Sequence, residues 1–314
     1  MAFAQGSRSS LSYIAESVFG TTPSTPTFTN LPFNTHSLDL TKDRVEGNEI
    51  QADRMPRVDR HGNKSAGGSI EVDLRKGDFD EFLESAMLST WDATPVGSDD
   101  LLKVGTTPKF FSIEDAANDI SQFRLFTGMS VSSMNVSIAP NQMVTATFDM
   151  VGKTMTQAQT TASTGGAPTA SSTNAPFDSY SGTISDGGSG ISIVTSIDFS
   201  VTNSFAPTFV IGSDSAQQLE FGRAVVEGTM TVYYEDETLI NKFLNETESA
   251  VEVTVDDPSG TNLYTFSFPR VKYNGAAVPV QNPQSRLITL PFVALYDTTA
   301  NTNLLIKRPD SNPA

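Results

Sequence analysis

The sequence predicts a mainly β protein made of two tandem copies of one unit, each with a single short helix. Three observations predict it. Runs of strict apolar–polar alternation rich in Val and Thr fit half-buried strands. Two short segments have helical periodicity instead. A Gly-led strand followed by a helix appears at Gly68 and again at Gly228.

The elements follow in order. Residues 1–35 are rich in Ser, Thr and Pro, as in "FGTTPSTPTFTNLPF", and are expected to form an N-terminal arm. Residues 36–153 form a first lobe, entered through a long charged loop at 42–67. In "SIEVDL" (69–74), Ile70, Val72 and Leu74 share one face and Glu71 and Asp73 the other. A helix over about 78–89 is predicted from Asp78 as N-cap, Glu81 three residues on, and an apolar stripe of Phe79, Phe82, Leu83, Ala86 and Met87. "MNVSI" and "MVTATFDMV" make a hairpin about "APNQ". Residues 154–190, almost uncharged Ser, Thr, Ala and Gly, have the composition of a linker or long loop. A second lobe, 191–300, holds "TMTVYY", a helix over about 237–247 carrying Ile240, Phe243 and Leu244, then "VEVTV", "LYTFSF" and "RLITLPFVALY". Residues 301–314 are expected to be a tail.

The repeat rests on three matches in the same order. Gly68 through Leu74, with Ile70 and Val72, matches Gly228 through Tyr234, with Met230 and Val232, at an offset of 160. Phe79, Phe82 and Leu83 match Ile240, Phe243 and Leu244 at 161, and "SLDL" (37–40) matches "SIDF" (196–199) at 159.

Composition bounds the function. The 314 residues carry 20 Lys and Arg against 36 Asp and Glu, a net charge of −16. Such a balance opposes tight nucleic-acid binding, which needs a basic face, and leaves room for DNA that passes without sticking. No apolar run is long enough for a membrane helix, and "MAFAQGSRSS" has no signal-peptide pattern, so a soluble product of the cytoplasm is expected. With no cysteine there are no disulfides, thiolate metal sites or thiol nucleophile.

Candidate chemistry is sparse. Gly62-Asn63-Lys64-Ser65 lacks the Gly-Lys pair of a phosphate loop and leads into a strand, not a helix. His61 has Asp59 and Ser65 near it in sequence, which is not triad geometry. Glu114, Asp115 and Asp119, or Asp256 and Asp257, lack the alternation of a calcium loop, and "DDPSG" fits a turn. No two carboxylates stand out as a glycosidase pair, and Trp91 fits packing. No catalytic, cofactor or metal site is therefore expected. The loop from Lys42 to Lys64 mixes six basic with five acidic residues, too near neutral for DNA. It fits an interface between subunits, with Arg44, Arg54, Met55, Arg57, Arg60 and Lys64 as contact residues.

At this level the N-terminal half resembles tail tube proteins of long-tailed, non-contractile phages. The resemblance rests on "YIAESVFGTTPSTP", "SLDLTKDRVEGNEIQADR", the Gly-led strand with its capped helix, and "TGMSVSSMNVSIAPNQMVTATFDMVGK", and covers most of residues 10–153. It implies a β-sandwich or half-barrel whose sheets join between subunits into a β-barrel channel, without enzymatic activity. It also implies stacked rings, a channel for DNA at ejection, and loops that bind the next ring. Its partners would be other copies of the chain, the tape measure protein and the terminator or tip proteins, in a virion tail assembled in the host cytoplasm. The duplication adds an expectation: three chains supply six lobes, a trimeric pseudo-hexameric ring. Two other classes stay open here: a different virion structural protein, such as a tail terminator or capsid decoration, and a carbohydrate-binding or carbohydrate-acting β domain.

Overall fold

The computed structural model describes residues 3–50, 52–53, 55, 57–92, 99–280 and 283–309. Among these, the principal elements fall into two series of seven strands and one helix. The first is β1 (Ser9–Glu16), β2 (Asp39–Glu46), β3 (Asp59–Asp73), α1 (Asp80–Met87), β4 (Phe110–Ala117), β5 (Gln122–Ile138), β6 (Thr145–Gly152) and β7 (Thr154–Ala158). The second is β8 (Thr183–Asp186), β9 (Val194–Thr202), β10 (Val225–Tyr233), α2 (Thr238–Leu244), β11 (Ser249–Asp256), β12 (Leu263–Tyr273), β13 (Leu287–Ala294) and β14 (Leu305–Arg308).

The two series are wired identically, and every pairing is antiparallel. In the first copy β1 pairs with β4, β4 with β5, and β5 with β7. The second sheet of that copy runs β2, β3, β6 and again β5. In the second copy the same sequence of pairings links β8, β11, β12 and β14, and then β9, β10, β13 and β12. Each copy is a sandwich of two sheets that share one long strand. Residues buried on the inner faces of both copies form one continuous core.

This wiring moves the lobe boundaries. The expected N-terminal arm holds β1, whose Leu11 and Tyr13 are buried. The expected linker holds β7, the last strand of the first copy, and β8, the first strand of the second. Its middle is strapped to the first copy: Glu114 accepts hydrogen bonds from Thr161 Oγ1 and the Ala162 amide, Ser163 Oγ accepts one from the Phe28 amide, and Phe177 is buried between backbone bonds to Leu74 and Val144. The expected tail holds β14, with Leu304 and Ile306 fully buried. Composition misled at all three places because these strands each bury only a few side chains and so need little apolar sequence.

The Gly that opens each repeated strand has a shared cause. A Cβ on Gly68 would stand 2.4 Å from the Ser37 carbonyl oxygen, and Gly68 has φ +138°. A Cβ on Gly228 would stand 2.7 Å from the Asp198 carbonyl oxygen and 2.4 Å from the Phe292 ring. The preceding strand approaches so closely that only glycine fits. These contacts equate Asp198 with Ser37. The register agrees, since Ile197 lies opposite Met230 as His36 lies opposite Ile70. The match of "SIDF" with "SLDL" is thus displaced by two residues, a shift that keeps the alternation and so is invisible to it.

The first helix buries Phe82, Leu83, Ala86 and Met87, and Phe79 just before it is also buried. Asp78 does not cap it. The N-cap is Phe79, and the Asp78 carboxylate instead accepts the Ser172 amide at 2.6 Å. In the second copy Met230 and Val232 are buried, but only Leu239 of α2 is. Ile240 and Phe243 are half-buried and Leu244 is 64% exposed, so Leu244 is not a core residue. Leu244 is the last residue of α2, at the exposed end of the helix.

Candidate assembly surfaces

The charged segment is not a loop. β2 and the first half of β3 form an antiparallel ribbon, from Asp39 opposite Gly67 to Glu46 opposite Asp59. Nearly every residue of β2 is exposed. A ribbon wet on both faces has no hydrophobic period, so the sequence hid it. Gly62 and Lys64, with the superficial look of a phosphate cradle, lie inside β3.

Arg44, Arg60 and Lys64 lie on this ribbon, and Met55 and Arg57 on the connection between its strands. Arg44 pairs with Glu46 and with Asp59, the latter at 2.9 Å, and Arg57 pairs with Asp53. Lys64 reaches Asp214 of the second copy at 3.2 Å, and its amide donates to the Asp214 carbonyl at 2.7 Å. That ion pair holds the Asp214 carboxyl below its ordinary range. Arg60 is exposed, and Arg54 lies outside the described residues. Much of the arm's charge is thus satisfied within the chain. What the arm offers a neighbour is apolar: Ile50 is 99% and Met55 65% exposed, with Val45 and Val58 exposed nearby.

A second surface is the outer face of the sheet formed by β3, β6, β5, β9 and β10. Its core-facing residues are apolar, among them Ile70, Phe148, Val136, Phe199 and Met230. The residues between them, over 69–73, 145–151, 133–137, 198–202 and 227–233, point outward. They include Glu71, Asp73, Asp149, Asp198 and Glu227, with Ser and Thr between, and no Lys or Arg. Two acids are held by serines on neighbouring strands, Ser133 to Asp149 at 2.6 Å and Ser137 to Asp198 at 2.5 Å.

A third feature is the junction between copies. β9 of the second copy adds to β5 of the first, from Ile197 opposite Ile138 to Thr202 opposite Ser133. β14 crosses from β12 to the short strand Asp100–Lys103 of the first copy. There Arg308 pairs with Asp80 and, at 2.8 Å, with Asp100, while its guanidinium lies 4.2 Å over Trp91. Tyr264 donates to Asp80 as well. Burial pushes the Asp80 carboxyl above its ordinary range against the pull of Tyr264 and Arg308, and burial beside Asp80 pushes the Tyr264 hydroxyl well up. Trp91 packs here, stacked on Tyr264.

The remaining candidates show no reactive geometry. His61 lies opposite Arg44 on the ribbon, and Asp59 is engaged by Arg44. Asp257 accepts from Ser259 and Asn262 in a turn. Among the described residues, no three His, Asp or Glu side chains gather as a metal would require.

The described chain is thus two β-sandwiches fused edge to edge, with an exposed arm and an outer sheet face that carries acids. The chain matches the family model described as phage tail tube protein over residues 6–294, and it belongs to that family. That one match spans both copies of the repeat. No curated protein matches the chain. The protein is a structural component of the phage tail, and its family points to a non-enzymatic role.

Proposed function

We propose that the protein assembles with itself into rings of three chains, each ring presenting six similar lobes, and that the rings stack into a hollow tube through which genomic DNA passes at ejection. The observation that carries this reading is the fusion of two identically wired sandwiches into one continuous sheet within a chain. A unit that already joins its own copy edge to edge is suited to joining the next chain the same way. The outer acidic face of that sheet supports its assignment to the channel wall. Carboxylates repel phosphates, so DNA slides, whereas lysines would release counterions and hold it. The arm would contact the next ring through Ile50, Met55 and Val58. The tape measure protein would occupy the channel before DNA, terminator and tip proteins would close the ends, and assembly would occur in the host cytoplasm.

A reconstruction of tubes grown from purified protein tests this. Three chains per ring, with β3, β6, β5, β9 and β10 lining the lumen, are expected. Six chains per ring, or a persistent monomer, would overturn it.

A further inference from the structure

The junction inside the chain has a counterpart left open at each end, and resting on the ring reading above, we propose that it fixes the register between chains. Within the chain, β9 docks on residues 133–138 of β5. The wiring equates β9 with β2, and β5 with β12. Among the described residues, β2 pairs with β3 alone along 39–46, and nothing pairs with the outer edge of the segment after β12. One chain therefore carries the socket and the next carries the strand that fits it, the second copy of this chain being the occupant.

The register follows from three equivalences. Met230 lies opposite Leu290 as Ile70 lies opposite Phe148, which equates β13 with β6. Tyr273 lies opposite Phe292 as Val131 lies opposite Met150. Beyond that point both strands slip by one residue: Ala277 bridges Thr289 as Asn135 lies opposite Thr147. Residues 275–280 thus stand where 133–138 stand in the first copy. On the other strand, the close approaches at Gly68 and Gly228 equate Ser37 with Asp198. Transferring the observed pairs Ile197 with Ile138 and Ser200 with Asn135 sets His36 of one chain opposite Val280 of the next, and Asp39 opposite Ala277.

Local chemistry agrees with the transfer. Ala277 exchanges both backbone bonds with Thr289, so its donor and acceptor face inward and those of residues 276, 278 and 280 face the open edge. Pro279, which has no donor, falls in the inward set and takes nothing from that edge. On β2 the Ser37 amide bonds inward to Ser69, which leaves 38 and 40 to face outward. Val280 is 74% exposed and would be covered, and the Val278 carbonyl, now held by Arg286 Nη2 at 2.8 Å, would exchange that donor for a backbone amide. An open edge beside exposed apolar residues is the kind of strand that natural proteins cover.

Cysteine cross-linking in assembled tubes tests the register, and the chain contributes no cysteine of its own. A directly opposed pair meets the Cα separation of about 4.4–6.8 Å that a disulfide needs, and a pair two residues out of register does not. D39C/A277C, oxidised in tubes and run unreduced, is expected to shift nearly all chains to a covalent three-chain product. T41C/A277C, displaced by two residues, should stay monomeric. N135C/S200C, at the junction within the chain, should oxidise without changing chain number. If D39C/A277C fails to assemble, mixed D39C and A277C chains should give covalent dimers. Tubes in which the N135C/S200C control oxidises but the D39C and A277C positions do not, or in which T41C/A277C reacts instead, overturn the register and leave the ring reading intact. A six-chain product keeps the register and overturns the trimer. Absence of tubes from wild-type protein overturns both.

Discussion

In the first copy the helix is fastened to the first strand by rings, and in the second by an ion pair. Phe82 of α1 meets Tyr13 of β1 edge-on at 5.0 Å, stacks on Phe111 of β4 at 4.9 Å and touches Phe148 of β6 at 5.5 Å, so one side chain ties both sheets. In the second copy Lys242 of α2 reaches Asp186 of β8 at 2.6 Å, with Tyr273 also donating to that carboxylate. The Asp186 side chain is 2% exposed. The strands are equivalent and the topology is shared, but apolar packing has given way to a buried charge pair. The core of the second copy is filled by strand residues instead: Phe199 touches both Phe266 and Phe268, and Phe268 touches Phe292. The difference teaches that the strand wiring defines this unit, while the helix is a cover that can be attached in more than one way.

The comparison breaks most sharply at the helices. Phe82→Ala should cost about 3–5 kcal/mol in urea unfolding, since the ring is fully buried between two sheets. Phe243→Ala, half-buried, should cost roughly 1–2 kcal/mol. Equal losses would mean that α2 is packed as deeply as α1. Next in size is Lys242→Met, which leaves Asp186 buried without its cation and should cost about 3 kcal/mol. Replacing both partners, as Lys242→Met with Asp186→Leu, should recover most of that loss. No recovery would show that the pair contributes more than the relief of a buried charge.

The strands that carry both faces of the core were legible because burial on one side imposes alternation: Ile70, Val72, Met230 and Val232 lie where that period puts them. The duplication was legible only as far as the helices. After α1 the chain makes the excursion 88–109, with the strand Asp100–Lys103 that receives β14, whereas after α2 only 245–248 precede β11. The constant offset ends there, although Ile113 opposite Phe126 still matches Val251 opposite Phe268. Strands β1, β7, β8 and β14 were hidden for another reason. They are short or polar on one side, and their pairing is set by partners far away in sequence. The acidic face was present in the sequence as Glu71, Asp73, Asp149, Asp198 and Glu227, but only the sheet order brings them onto one surface.

The smallest effect on stability, and the sharpest separation of assembly from folding, is expected at the charged arm of the first copy, whose place in the second copy is taken by a sparsely charged ribbon of Ala206–Thr208 against Gln218–Glu220. Here the structure changes which residues matter. Arg44 and Arg57 already hold Asp59, Glu46 and Asp53 of their own arm, and exposed pairs of this kind contribute about 0–1 kcal/mol. Ile50 and Met55 have no covering surface in the described chain. Ile50→Ser with Met55→Ser should leave the unfolding free energy of the subunit, read from urea titration, within about 0.5 kcal/mol of wild type, because neither side chain is part of the core. The same change should shorten or abolish tubes in negative stain, because stacking a ring would then bury two fewer apolar side chains per arm. Arg44→Ser with Arg57→Ser should shorten tubes less. If the arginine variant instead loses tubes while the serine variant at 50 and 55 keeps them, the arm works through charge, and its own ion pairs must open when rings meet.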